Sequence, residues 1–266
     1  MDLTLQRFGA PAREMVGLLQ HAPSAAPRAR WLLCRPMGQE ATRTSAMFRA
    51  LSERLAREGC EVLRFDWHGT GDSPGEEAAQ SIAAWVEDAL AAHERLAGGD
   101  TPVCWFGMGL GANIALRAAA RARAAPAHLV LWEPVLDGAQ YLRALMQAHK
   151  DELQREMGHR WSALVAQGKA EEPAVPGHLL GFEIGARLAD ELQQLRGLPI
   201  APALRRGIAV TCAVQPAQRA QIAEPAAEAA LRVLAVEDRI DWMSSQAMGS
   251  ALVPQDVMRT LLALLP

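Results

Sequence analysis

The stretch that decides the fold is Val103-Cys104-Trp105-Phe106-Gly107-Met108-Gly109-Leu110-Gly111-Ala112-Asn113. An apolar run of strand length meets glycine at every second position from Gly107 to Gly111, and apolar residues then recur with helical spacing. Glycine tolerates positive φ and the close approach of another backbone segment. The stretch therefore predicts a strand, a sharp turn with Gly109 at its apex, and a helix.

A strand-turn-helix unit of the pattern G-x-S-x-G is the nucleophile elbow of α/β-hydrolases, which holds a serine on a strained turn above the sheet. In this chain Gly109 occupies the serine position. The sequence thus predicts the scaffold for acyl-transfer chemistry without the hydroxyl group that performs it.

Strand patterns and helix patterns alternate on both sides of this stretch. Two alternating runs, Leu3 to Phe8 and Glu14 to His21, predict an opening antiparallel pair. A helix is expected to begin with Thr44 or Ser45 as its N-cap and to end at Gly59. Further strands are predicted at Ala29 to Cys34, Glu61 to Asp66, His128 to Trp132, Gly207 to Ala213 and Leu231 to Val236. This alternation predicts an α/β fold with a mostly parallel central sheet flanked by helices.

The pattern changes between Leu136 and Leu195, where amphipathic helical stretches such as Tyr141 to Met157 follow one another without a strand of the sheet. We expect this segment to be a helical cap inserted in a single domain. Residues 1–135 and 196–266 then form the α/β-hydrolase core, and residues 136–195 form the cap.

Composition excludes several classes of function. The 266 residues carry a formal net charge of −3, which gives no reason to expect nucleic-acid binding. Half of the residues are hydrophobic, yet no apolar run reaches the ~18 residues of a membrane span. The N-terminus lacks secretory features, so we expect a cytoplasmic protein. The cysteines lack metal-ligand spacing, and we expect no metal, no cofactor and buried, reduced thiols at Cys34, Cys60, Cys104 and Cys212.

Several short pieces resemble the exosortase A system-associated hydrolases, chiefly the second type, within the α/β-hydrolase superfamily. The pieces are Arg64 to Asp66, Gly69 to Ser73, Trp105 to Ala112, Leu131 to Val135 and Gly181 to Glu183. The resemblance spans about Ala29 to Leu195. It implies a hydrolase found alongside exopolysaccharide and protein-sorting gene clusters, although the elbow of that family commonly reads Gly-Leu-Arg-Leu-Gly and also lacks serine.

The other two members of a Ser-His-acid triad are missing from their expected places. The acid normally follows the second-last strand and the histidine follows the last one. After Ala213 the chain offers Gln215 and Gln218 but no carboxylate, and no histidine occurs beyond His178. The sequence therefore predicts a degenerate triad, with Asp238 in the loop after the last strand as a remaining candidate acid.

An alternative site is an acid-base pair of Glu40 and His68, with Asp72 near the histidine. Glu40 follows the loop expected to supply oxyanion donors, and His68 lies in a loop at the carboxyl end of a strand. This pair would support an active hydrolase of esters, thioesters or amides. The competing interpretation makes both residues structural, with Glu40 accepting hydrogen bonds from neighbouring backbone donors.

The predicted elbow keeps its oxyanion donors even without a serine. N–H groups of Leu110 and Gly111 at the start of a helix, with a donor near Met37, are expected to converge beside Gly109. Such donors bind an acyl or anionic small molecule without cleaving it. A protein partner held by the cap is a further hypothesis, and the oligomeric state stays open.

A dinucleotide site is a less favoured alternative. Gly107-x-Gly109-x-x-Ala112 after a strand, with Glu133 about twenty residues later, matches the dinucleotide fingerprint. That fingerprint normally follows the first strand of its domain, whereas two strand-helix units precede it in this chain.

Overall fold

The computed structural model describes residues 2–222, 230–236, 242 and 254–265. Eight strands form one sheet, and two short strands form a separate hairpin. In chain order the strands are β1 (Leu3–Ala10), β2 (Arg13–Gln20), β3 (Arg30–Cys34), β4 (Glu61–Phe65), β5 (Val103–Met108), β6 (His128–Trp132), β7 (Gly177–Leu179), β8 (Phe182–Ile184), β9 (Ala209–Val214) and β10 (Leu231–Ala235).

The main sheet has the strand order β1-β2-β4-β3-β5-β6-β9-β10. β1 pairs with β2, and β2 with β4, in antiparallel fashion; all other pairs in this sheet are parallel. Strand β5, which carries the glycine-rich stretch at its end, lies between β3 and β6. The predictions of an opening antiparallel pair and a mostly parallel sheet are confirmed.

Eight α-helices connect or flank these strands in the described part of the chain. They are α1 (Gly38–Arg57), α2 (Ile82–Leu96), α3 (Leu110–Ala119), α4 (Gly138–Met157), α5 (His159–Ala166), α6 (Ala186–Gln194), α7 (Ala201–Leu204) and α8 (Gln255–Leu262). A helix was expected around Ala217 to Ala230; a 3₁₀ helix covers Pro216–Gln221, and residues 223–229 lie outside the described residues.

The predicted start of α1 is wrong. The helix begins at Gly38 with Met37 as its N-cap, about two turns before Thr44. Thr44 lies inside the helix, where its hydroxyl donates a hydrogen bond to the carbonyl of Glu40 at 2.7 Å, as threonines within helices do. The correction matters because it moves Glu40 from a loop into the first turn of a helix.

The sheet is covered on both faces, as a mostly parallel sheet requires. Adjacent residues of β5 show this, because successive side chains of a strand point to opposite faces. Trp105 packs with the core that includes α2 and α3, and Phe106 packs with Phe48 of α1 on the other side. The four cysteines are buried and form no disulfide, and burial raises the pKa of the Cys104 thiol to about 12.

Helices α4, α5 and α6 and the β7-β8 hairpin occupy residues 136–195, where the sequence predicts helices and no strand of the main sheet. The hairpin is an addition that the sequence did not predict, and it pairs with itself and not with the main sheet. Helix α4 packs against α6, and β8 lies beside Glu77–Ala79. In the part of the chain that the structure describes, no helix is both long and apolar enough to cross a membrane.

Candidate functional site

The turn between β5 and α3 is held by backbone hydrogen bonds. Gly109, at its apex, has φ +55° and ψ −130°, a conformation that side chains disfavour. Its N–H donates to the carbonyl of Trp132 on β6 at 3.0 Å, and its own carbonyl accepts from the N–H of Ala112 at 3.1 Å. The strand, sharp turn and helix predicted from the sequence are therefore present, with Gly109 at the predicted position.

The three glycines of the turn are required for different reasons. A Cβ atom on Gly111 would lie 2.2 Å from the carbonyl oxygen of Arg35, and one on Gly107 would lie 2.6 Å from the Cα of Ala112. These contacts with backbone leave no room for any side chain. A Cβ on Gly109 would lie 3.2 Å from Pro36 and 3.4 Å from Glu40, so a shift of a few tenths of an ångström accommodates it.

Glu40 places a carboxylate beside this apex. It lies in the first turn of α1, where the helix dipole favours negative charge. Its Oε2 accepts a hydrogen bond of 2.8 Å from the hydroxyl of Tyr141 on α4. Burial, and then the negative charge of Glu40, raise the pKa of Tyr141 well above 10, so the phenol stays protonated and donates.

The N-terminal ends of α1 and α3 come together at Gly109. Met37, the N-cap of α1, has an extended backbone and a buried side chain, and Pro36 before it faces Gly109. The first N–H groups of a helix have no partner within the helix. Leu110 and Gly111 open α3, so their N–H groups have no acceptor within that helix. The structure thus places Glu40 beside Gly109 at the cavity. Met37 directly follows Pro36 and Leu110 directly follows Gly109, and neither is among the lining residues.

A cavity of about 640 Å³ opens beside Gly109. Its wall comes from the ends of β5 and β6, from α4, and from the segment after β9. The lining side chains that can form hydrogen bonds are Glu40, Glu133, Asp137, Gln140, Tyr141, Gln215, Gln218, Gln221 and Trp242. The volume falls in the range of sites for small molecules.

Glu133 lines this cavity, although the sequence patterns connect it only with the dinucleotide alternative. It follows β6 with φ +43°, which is unusual for a residue other than glycine and which marks functional sites more often than loops in general. Its N–H donates to Ala213, and its Oε1 accepts from Nε2 of Gln215 at 3.2 Å. Burial raises the pKa of its carboxyl. The signal in the sequence was a carboxylate at the carboxyl end of a strand, where ligands of such sheets bind.

His68 does not line this cavity and is not brought to Glu40. Its Nδ1 donates to the carbonyl of Glu14 at 2.9 Å, and its backbone N–H donates to Asp88, which is paired with Arg13. The ring also packs against Gly75, where a Cβ atom would lie 2.5 Å from Nε2. The structure therefore gives His68 structural partners and does not assemble the acid-base pair expected as an alternative.

The acid and the histidine of a triad are expected after the last two strands in the chain, β9 and β10. Gln215, directly after β9, lies where the acid is expected, and it donates to Glu133. The segment after β10, which includes the candidate Asp238, lies outside the described residues. The dinucleotide alternative has a further mismatch, because Gly107 faces α3 and Gly111 faces the backbone of Arg35, which leaves neither glycine open to a pyrophosphate.

Solved structures similar to this chain share its architecture over nearly the full length. A putative hydrolase from Agrobacterium vitis is 18% identical with a TM-score of 0.56, and covers 100% of this chain and 99% of its own. The α/β hydrolase GrgF from Penicillium is 16% identical, with a TM-score of 0.60 and coverage of 100% and 98%. Proline iminopeptidase from Mycobacterium smegmatis is 11% identical, with a TM-score of 0.59 and coverage of 98% and 97%. At these identities the similarity establishes the α/β-hydrolase fold.

One family model matches more than half of the chain. A search of curated proteins gives no match. The family model described as serine aminopeptidase, S33, matches residues 26–175, which include α1, the glycine-rich turn and α4. The chain therefore belongs to the serine aminopeptidase S33 family and has the α/β-hydrolase fold.

Proposed function

We propose that this protein is a member of its family that binds an acyl ligand beside Gly109 without cleaving it by a serine mechanism. The observation that carries the proposal is the glycine at the apex of an otherwise intact elbow. A turn without a side chain supplies no nucleophile, and the described part of the cavity lining contains no histidine. In this proposal the first backbone N–H groups of α3 hold the carbonyl oxygen of the ligand.

An acyl group is favoured over an anion by the charge next to the apex. Glu40 already places a carboxylate at the end of α1, hydrogen-bonded to Tyr141. A second negative charge beside it is repelled. A neutral carbonyl oxygen accepts hydrogen bonds from Leu110 and Gly111 without that repulsion.

The cap belongs to the same proposal. We assign residues 136–195 to a cap over a core formed by residues 1–135 and 196–266. The support is that α4 contributes Gln140 and Tyr141 to the cavity wall, while the β7-β8 hairpin stays separate from the main sheet. Within its family we assign the chain to the exosortase-associated type, on the motifs Leu131 to Val135 and Gly181 to Glu183.

Covalent labelling tests the loss of catalysis. Wild-type protein and the Gly109→Ser variant are treated with a fluorophosphonate probe and with activated aryl esters. We expect neither labelling nor turnover in either protein, because a restored hydroxyl would have no general base, and triad members act as a unit. Labelling of the wild type that Glu40→Gln or His68→Ala abolishes would show a different nucleophile and base, and would refute the proposal.

Ligand binding is tested with a ketone that cannot be hydrolysed. 4′-Nitroacetophenone presents the acyl carbonyl of an aryl ester, and its binding is followed by ligand-observed NMR. Ala144 lines the cavity from α4, so Ala144→Phe should fill the space and abolish binding. Ala148→Phe, one turn later on the same helix and outside the lining, is the matched control and should bind like the wild type. Equal binding by both variants would place the ligand elsewhere.

A further inference from the structure

Four side-chain amides line the cavity beside Gly109. Gln140 comes from α4, and Gln215, Gln218 and Gln221 come from the segment after β9. No lysine or arginine occurs among the lining residues that the structure describes. The described lining therefore offers several hydrogen-bonding groups and no basic side chain.

The carboxylates of the lining already have partners. Glu40 accepts from Tyr141, and Glu133 accepts from Gln215. Asp137 accepts from the backbone N–H of Gln140 as the N-cap of α4, and an arginine, Arg196, lies 3.6 Å from it. A cation would have to share these carboxylates with their present partners, whereas an anion would be repelled by them.

Three amides, by contrast, have no partner among the described residues, and two of them, Gln140 and Gln221, are exposed. The side chains of Gln140, Gln218 and Gln221 form no hydrogen bond with another described residue. Each amide offers two N–H donors and one carbonyl acceptor. A hydroxyl group is also both donor and acceptor, so several hydroxyl groups on one ligand match several amides.

We propose that the cavity recognises a neutral polyhydroxyl group, such as a sugar ring, as the part of the ligand next to the acyl group. This inference rests on the proposed function, because it assumes that the cavity binds a small molecule. Gln140 and Gln218 approach the ligand from α4 and from the segment after β9. They determine specificity by hydrogen bonding to hydroxyl groups.

A matched series of sugars tests the sign of charge that the cavity accepts. Glucose, glucuronate and glucosamine share one ring and differ in charge at about pH 6.5, where the carboxyl is ionised and the amine protonated. Binding is measured by saturation-transfer NMR and by calorimetry on the full chain. We expect glucose to bind about tenfold more tightly than glucuronate and more tightly than glucosamine. Tighter binding of either charged sugar, or no binding of glucose, would overturn the inference.

Glutamine variants test the residues. Gln218→Ala should weaken glucose binding about tenfold, which corresponds to about 1.4 kcal/mol or one good hydrogen bond. Gln147→Ala is the matched control, because Gln147 lies on α4 but pairs with Asp151 outside the cavity lining. An unchanged affinity in Gln218→Ala would remove this residue from recognition and refute the assignment.

The ketone experiment separates the two proposals. If 4′-nitroacetophenone binds in the cavity and glucose does not, the polyhydroxyl inference fails while acyl binding stands. If the fluorophosphonate probe labels the wild type, the proposed function fails whatever the sugars do.

Discussion

Tyr141→Phe removes one hydroxyl group and tests the hydrogen bond between α4 and the N-terminal end of α1. The Tyr141 side chain is 9% exposed, and its hydroxyl donates at 2.8 Å to a carboxylate oxygen of Glu40. Phenylalanine keeps the ring and its packing, so the change isolates this hydrogen bond. Glu40 would retain its charge at the cavity wall with one donor fewer.

The expected loss follows from the nature of the acceptor. Hydrogen bonds to charged groups contribute about 1.5–3 kcal/mol. Glu40 is partly exposed and lines the cavity, where water replaces part of the lost interaction, so the lower end applies. We expect the free energy of unfolding to fall by about 1.5 kcal/mol, which in a chain of this size lowers Tm by about 3–6 °C.

A double-mutant cycle provides the assay. Urea unfolding is followed for wild type, Tyr141→Phe, Glu40→Leu and the double variant, with the m-value required to stay constant. Any other partner of Glu40 is lost in both variants that carry Glu40→Leu, so it cancels in the coupling energy. We expect coupling of about 1 kcal/mol or more. Additivity within about 0.3 kcal/mol would show that the two side chains do not interact in solution and would refute the contact.

Three further predictions have defined outcomes. Tyr141 is the only tyrosine of the chain, so the pH at which tyrosinate absorbance appears reports its pKa alone. We expect this onset well above pH 10 in the wild type and nearer to pH 10 in Glu40→Leu. Equal onsets in the two proteins would contradict the role of the Glu40 charge. Burial raises the pKa of the Glu133 carboxyl in the folded protein, so its contribution to stability is present at low pH and is lost as pH rises through that pKa. Glu133→Gln should therefore flatten the dependence of the urea midpoint on pH. An unchanged profile would contradict this. Gly111→Ala should lower the free energy of unfolding, measured in urea, by several kcal/mol, and Gly109→Ala should lower it by about 1–2 kcal/mol. The reverse order would contradict the packing of the turn.

Local patterns allowed much of the fold to be predicted. Gly107 to Gly111 predicted the turn between β5 and α3, and alternating apolar runs predicted the strands within one or two residues. The start of α1 was missed because Pro36-Met37-Gly38 is typical of a loop, while Gly38 with φ +57° in fact begins the helix. A helix entry built on a positive φ has no clear signal in a single sequence.

The site depended on contacts between distant parts of the chain. Glu40 and Tyr141 are separated by 101 positions, and no spacing rule connects them. The loop position of His68 suggests catalysis, but the partner of its Nδ1 is the carbonyl of Glu14 in the antiparallel pair. The left-handed backbone of Glu133 likewise results from its tertiary setting, since the sequence Glu-Pro alone favours extended backbone before the proline.

The different clearances around the three glycines bear on how such sequences should be interpreted. Gly107 and Gly111 are held by backbone contacts that any protein with this turn must satisfy, whatever chemistry it performs. Selection for folding alone is enough to retain them. The middle residue meets side chains at a wider clearance, so packing of the turn does not by itself determine which residue stands there. A search that rewards the outer glycines therefore collects relatives by architecture. The residue between them has to be inspected together with the acid and the histidine before catalysis is assigned to a sequence.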